Sequence, residues 1–178
     1  MKNFMCVIGN HFADSGLSEV WSESTVFGEN VAQNNMQAKS YNRTIRAHKL
    51  TFEAIWRILW PTFIEWVKDN QKFDDEDLQL LSINVVQSFE SHDDRDVISN
   101  KVNTLVDEIE QSKVIRLLEE FEETLPPTSK FWVTYIRMVS ILLQFLRAER
   151  TGNWNLHKSS FAAMLPWFAQ YDHTNYTR

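Results

Sequence analysis

The spacing of large apolar residues between Asn42 and Asn70 constrains the fold of this chain more than any other feature. The segment reads NRTIRAHKLTFEAIWRILWPTFIEWVKDN, and its large apolar side chains recur three and four positions apart. That period places them on one face of an α-helix. Pro61 lies inside the pattern and predicts a kink or break near Leu59–Trp60, because proline lacks an amide hydrogen and clashes with the preceding turn. The residues of this face are Ile45, Phe52, Ile55, Trp56, Leu59, Phe63, Trp66 and Val67.

A second segment, TSKFWVTYIRMVSILLQFLRAER, is apolar around nearly its whole circumference. Such a helix is stable only when other elements cover most of its faces, so residues 129–150 are predicted to form a central buried helix with Thr128 or Ser129 as its cap. Seven Trp and twelve Phe can surround it, while four Gly and four Pro are few for a turn-rich β protein. The sequence therefore predicts an all-α fold: a single domain over residues 1–178, with six to eight helices in an irregular bundle.

Two N-terminal segments and the middle of the chain are also interpreted as helical. ADSGLSEVWSES predicts a short helix after Asp14 or Ser15, and GENVAQNNMQAKS predicts a polar helix or loop. Residues 72–94 predict a helix, with a short strand as the alternative. Residues 93–125 predict one long helix that ends before two consecutive prolines.

The C-terminal segment GNWNLHKSSFAAMLPWFAQYDHTNYTR carries Trp154, His157, Phe161 and Leu165 at helical spacing. Pro166 follows directly and is predicted to turn the chain into a last short helix or loop.

Charge is segregated along the chain, although the net charge is only −6. Residues 1–38 sum to −3, residues 39–64 to +4, residues 65–125 to −11 and residues 126–178 to +4. We interpret the acidic middle as a solvated helical hairpin, because runs of like charge are stable where water screens them.

Three features bear on cellular location. The lone Cys6 excludes an internal disulfide, and the start MKNFMCVIGNHFADSG is too polar for a signal peptide. The longest apolar run, Phe131 to Leu146, is short of the roughly 20 residues that span a bilayer and contains Arg137. The sequence predicts a soluble intracellular chain without a membrane segment, and it does not distinguish nucleus from cytoplasm.

The basic run KSYNRTIRAHKL offers a candidate nucleic-acid contact. On a helix, Arg43, Arg46, His48 and Lys49 are predicted to point outward, opposite the apolar face, and Arg57 extends the series. Clustered cations bind phosphates, and Tyr41 could stack on a base. The alternative is an ordinary solvated helix face, since the chain as a whole is acidic.

No catalytic residue, metal ligand or cofactor site is predicted. His157 and His173 are separated by a proline, and with Asp172 and Glu149 they lack the compact spacing of a metal site. The chain has neither a Gly-x-Ser-x-Gly elbow nor a glycine-rich phosphate loop, and Cys6 is expected to be packed rather than reactive. The remaining carboxylates lie in runs that are typical of solvated turns and helix starts, whereas a two-metal centre needs carboxylates that converge in one pocket. These residues are Asp74, Asp75, Asp77, Asp93, Asp94 and Asp96.

Two stretches resemble a known group of proteins. IGNHFADSGLSEVWSEST…YNRTIRAHKLTFEAIWR and LLQFLRAERTGNWNLHKSSFAAMLPWFAQYDHTNYTR are similar to the YNRxxRxHKL and RAxRxGDWxLH…MLPYF…HxNYxR boxes of a large group of uncharacterised animal proteins. That group occurs in many near-identical genomic copies, which implies derivation from a mobile element such as a transposon. The matches cover roughly residues 8–60 and 140–178.

The resemblance implies that this chain is an internal fragment of a longer protein. Asn153 stands where the group often has Asp, and Trp167 where it often has Tyr. If that Asp has a catalytic role in the group, the resemblance implies that this copy is impaired in that activity.

The expected function is a non-enzymatic helical scaffold or interaction segment of a mobile-element-derived protein. One alternative is the remnant of a DNA-transposase-like enzyme whose catalytic acids lie mostly outside the chain. A second is a stand-alone protein-interaction module. The partner is unknown, but Trp154, Trp167 and Tyr171 form the predicted interaction surface, for a protein partner or for missing chain.

Overall fold

The computed structural model describes residues 1–24, 26–70 and 111–171, and these residues form seven α-helices and no strand. A short 3-10 turn, Ala13–Ser15, follows the first helix. The all-α multi-helix architecture is confirmed. The helices are α1 Lys2–His11, α2 Leu17–Glu23, α3 Glu29–Met36, α4 Tyr41–Asp69, α5 Gln111–Thr124, α6 Pro127–Thr151 and α7 Trp154–Gln170.

The chain divides into two compact units. Unit 1 combines Met1–Phe52 with Phe131–Arg178, and unit 2 comprises Glu53–Lys130. The single domain expected from the chain length stays a prediction.

The core of unit 1 contains most of α6. Eight side chains of this helix are buried, and four of them, Tyr135, Met138, Val139 and Leu142, have no exposed surface. Apolar residues of α1 add to this core, and the Phe4 ring meets Phe168 of α7 edge to face at 5.7 Å. The buried character of α6 agrees with the sequence prediction, and its start at Pro127 replaces the predicted cap at Thr128 or Ser129. Pro suits the first helical position, where its missing amide hydrogen would have no intrahelical partner.

Unit 1 also contains an unusually close approach of two helices. Gly9 of α1 is buried, and a Cβ at this position would overlap the backbone carbonyl of Met36 at the end of α3. Only glycine permits this contact, because any side chain would have to displace backbone atoms.

The core of unit 2 joins α4 to α5. Trp60, Phe63 and Val67 of α4 are buried together with Leu117 and Phe121 of α5. The rings of Phe63 and Phe121 meet edge to face with centroids 5.4 Å apart, a favourable geometry for aromatic pairs.

Neither of two prolines ends its helix, although the sequence predicted a kink or break near Leu59–Trp60 and a new short helix or loop after Pro166. Pro61 lies inside α4 and Pro166 lies inside α7, and both helices continue without interruption. Both proline rings are on exposed faces, where water can bond the carbonyl that proline leaves without a donor. Buried side chains on both sides hold each helix in place: Trp60 and Phe63 flank Pro61, and Met164 and Phe168 flank Pro166.

Within the described part of the chain, α6 is long and apolar enough to cross a membrane by length and composition alone. The core helix of a soluble protein passes the same test, and eight side chains of α6 are buried against the protein itself.

The segment GENVAQNNMQAKS, predicted as a polar helix or loop, contains the helix α3. The predictions for residues 72–94, the first part of the long helix over 93–125, and the six Asp candidates fall outside the described residues.

Candidate functional site

A buried polar cluster links α2, α4 and α6 in unit 1. The indole Nε1 of Trp21 donates to Thr51 Oγ1 over 2.7 Å, and Thr51 Oγ1 donates to the carbonyl of Ala47 over 3.0 Å. Nδ1 of His48 and the hydroxyl of Tyr135 are hydrogen-bonded at 2.8 Å. His48 and Tyr135 have no exposed surface.

Burial controls the ionisation of this cluster. Desolvation lowers the pKa of His48 to about 4, because the imidazolium loses its hydration inside the protein. Desolvation likewise raises the pKa of Tyr135, and a hydrogen bond with Thr51 acts in the opposite direction. At neutral pH both groups are therefore uncharged, and the cluster stabilises the fold through hydrogen bonds.

The prediction that His48 points outward is wrong. His48 lies three residues after Ile45 and four after Thr44, both of which are buried, so it belongs to the inward face of α4. A histidine counts as polar in a sequence pattern, but the neutral ring packs as an aromatic group once Tyr135 accepts or supplies a hydrogen bond.

The four predicted basic contacts are all exposed on α4. Arg43, Arg46 and Lys49 are exposed residues of unit 1. Arg57, in unit 2, is also exposed and forms an ion pair with Glu53 at 2.7 Å. Exposure is what a phosphate contact requires, but the ion pair reduces the positive charge that Arg57 offers.

The three predicted surface aromatics separate into two places. Trp154 begins α7, whereas Trp167 and Tyr171 lie at its other end. Thirteen residues of helix put Trp154 and Trp167 about 20 Å apart, so the three rings do not form one contiguous patch.

Trp167 and Tyr171 surround His11, a residue that sequence reasoning missed. Nδ1 of His11 forms a short hydrogen bond with the Tyr171 hydroxyl, and its ring also contacts Phe131 and Trp167. Burial lowers the pKa of His11 and raises the pKa of Tyr171. These aromatics therefore join α1 to α7. The clue in the sequence was weak, because His11 and Tyr171 are 160 positions apart.

Of the three predicted surface aromatics, Trp154 has the most exposed side chain. It is 67% exposed, and it lies parallel to the His157 ring with an interplanar angle of 8° and centroids 5.5 Å apart. His157 in turn contacts Phe145 of α6 at 4.4 Å. Phe161, two turns after Trp154, is 40% exposed. We call Trp154, His157 and Phe161 the α7 face.

Comparison with known protein families identifies the family of this chain. A family model described as Domain of unknown function (DUF8702) matches residues 1–178. The chain belongs to the DUF8702 family. No curated protein and no solved structure matches it.

Asn153, one of the two positions at which the sequence was expected to depart from a family pattern, has a structural role in this DUF8702 chain. Asn153 is the N-cap of α7, and its Oδ1 accepts a hydrogen bond from the Leu156 amide over 3.0 Å. Gly152 precedes it with φ +66°, a turn conformation that favours glycine. Asn and Asp cap helices about equally well. An Asp at position 153 would therefore be compatible with the same fold.

Over the described ranges of this DUF8702 chain, no group of three His, Cys, Asp or Glu could hold a metal ion. His173 and Asp172 lie outside those ranges. Cys6 is partly buried, and its Sγ donates to the Gln37 carbonyl at 3.4 Å, in line with the packed role predicted for it.

Proposed function

We propose that this DUF8702 chain is a non-enzymatic helical scaffold that binds a protein partner through the α7 face. The observation that carries the proposal is the exposure of Trp154 together with its parallel stacking on His157. Tryptophan is strongly enriched among the side chains that dominate protein interfaces. The stack restricts the indole before binding, so less side-chain freedom is lost when a partner covers it.

The helices of unit 1 support this role. The Asn153 cap and the Phe145–His157 contact fix the first turn of α7 against α6, so the exposed indole is held on a rigid element. In the interior polar cluster, in contrast, His48 and Tyr135 have no exposed surface, which suits stability rather than substrate binding.

Replacing Trp154 with Ser tests the proposal. We expect affinity-captured partners to be depleted about tenfold or more relative to the unchanged chain, because loss of an interface tryptophan commonly costs above 2 kcal/mol. The melting temperature should change little, since the indole is mostly exposed. A captured partner is then purified and its dissociation constant measured directly with both chains.

Val20→Ser is the matched control, because Val20 is 58% exposed on a different helix, α2. It should leave binding unchanged. Equal capture by the Trp154 variant and the unchanged chain would contradict the role of the α7 face.

The exposure of Arg43, Arg46 and Lys49 favours nucleic-acid contact as a second candidate function. The exposure of these basic residues also fits the alternative that the chain is the remnant of a transposase-like enzyme. We expect duplex or single-stranded DNA to bind at low salt. The double variant Arg43→Gln/Arg46→Gln should reduce the slope of log K against log salt concentration by about 1.4–1.8, since each lost phosphate contact removes about 0.7–0.9. Fluorescence anisotropy over a salt titration measures both quantities. Absence of binding at the lowest salt removes this candidate.

Mobile-element origin, fragment status and an intracellular location without membrane contact are part of the same proposal. They are supported by the two resembling boxes and by the lone cysteine.

A further inference from the structure

A lysine lies between the two exposed aromatic rings of the α7 face. Lys158 is exposed, four positions after Trp154 and three before Phe161, and side chains at these spacings are neighbours on a helix surface. Trp154 and Phe161 are about 10 Å apart along the helix axis, so a partner that covers both rings also covers the Lys158 ammonium group. Lys158 forms no ion pair with any residue that the structure describes.

The charge around the α7 face is positive. From position 150 to position 171 the sequence contains Arg150 and Lys158 but no Asp or Glu. Glu149 is exposed at the end of α6, where it stands between Arg147 and Arg150, so two cations accompany one anion there. Because binding surfaces pair with partners of opposite potential, this surface favours an anionic partner.

We infer that the partner of the α7 face is an acidic amphipathic protein segment. This inference rests on the proposed function and names the chemistry of the partner. Two aliphatic side chains of the segment cover Trp154 and Phe161, and a carboxylate between them pairs with Lys158. On a helical segment, aliphatic residues seven positions apart match this spacing.

The carboxylate is required because Lys158 loses water when the rings on both sides of it are covered. A charge that is covered without a partner is strongly unfavourable, whereas an opposite charge offsets much of the lost hydration. A second copy of the α7 face would bring its own Lys158 against the first, so a partner of this kind is disfavoured.

Two helical peptides of about 18 residues test the inference. Both carry two leucines seven positions apart, with glutamate between them in one peptide and lysine at the same position in the other. The ¹⁵N-labelled chain is titrated with each peptide, and the indole signal of Trp154, identified by its loss in Trp154→Ser, reports binding. We expect the glutamate peptide to bind about fivefold or more tightly at low salt. The ratio should shrink at about 1 M salt, where the Debye length is about 3 Å.

Lys158→Glu should reverse this preference. The variant is expected to fold, because position 158 is exposed and glutamate is a good helix former. Lys2→Glu is the matched control, since it makes the same charge change at an exposed residue of α1. It should leave the preference unchanged.

The outcomes separate the chemistry of the partner from the existence of the binding surface. Equal affinity for the two peptides, with both lost in Trp154→Ser, would overturn the acidic partner and leave the α7 face as a binding surface. A preference for glutamate that persists in Lys158→Glu would overturn the pairing with Lys158. No shift of the Trp154 signal with either peptide would overturn the inference, and a shift with a single-stranded oligonucleotide instead would assign the face to nucleic acid.

Discussion

Gly9→Ala is expected to lower the free energy of unfolding by about 3 kcal/mol and to increase the unfolded and aggregated fractions of the chain. In an ordinary helix interior, alanine would stabilise the fold by roughly 0.5–1 kcal/mol relative to glycine. Here the added methyl group would overlap the Met36 carbonyl, which belongs to the backbone and cannot rotate away. Urea denaturation followed by circular dichroism measures the change.

Gly28→Ala is the matched control for this substitution. Gly28 has no atom near an added Cβ and a φ of −68° that alanine adopts readily. Because Gly28 is the N-cap of α3, where alanine is a poor cap, a loss of up to about 1 kcal/mol is expected. Comparable losses at the two positions would show that the α1–α3 contact is looser than described.

Acidification from pH 6.5 to about 4 is expected to remove about 3 kcal/mol of stability through His48 alone. The native pKa of His48 is lowered to about 4 from an ordinary value of 6.5. The unfolded chain therefore binds more protons than the native chain in this window, so stability is fully present above pH 6.5 and falls as the pH is lowered. Urea denaturation at a series of pH values measures the slope.

His48→Gln should flatten that slope, because glutamine has no proton to gain. His11, whose native pKa is also lowered by burial, contributes in the same direction and should leave a smaller residual slope. If the glutamine variant does not fold, the ring signals of His48 can be titrated in the unchanged chain. An apparent pKa at or above 6.5 would contradict the burial of this ring.

The sequence was sufficient to predict the helices in which the apolar pattern extends over many residues. The period from Ile45 to Val67 predicted α4, and the all-round apolar segment predicted a buried α6, because side-chain hydrophobicity and helical spacing act locally. The three aromatics predicted to share one surface lie in two places. Trp154 is open, but Trp167 packs at the far end of α7, a separation that helical rise could have indicated.

The prolines show where local rules fail. Pro61 destabilises its helix locally, yet apolar contacts on both sides of it keep α4 continuous. Packing of this kind involves residues of α5 that are distant in sequence, so a local penalty of a few kcal/mol can be outweighed.

The sequence by itself determined that this chain is helical, that its longest apolar segment is a core helix, and that residues 39–64 carry a net positive charge. Only the tertiary structure decided that His48 faces inward to Tyr135, that His11 meets Tyr171, and that Gly9 touches the end of α3. The physical reason is that helical period arises from neighbours within one turn, whereas burial and hydrogen-bond partners depend on residues brought together from far along the chain.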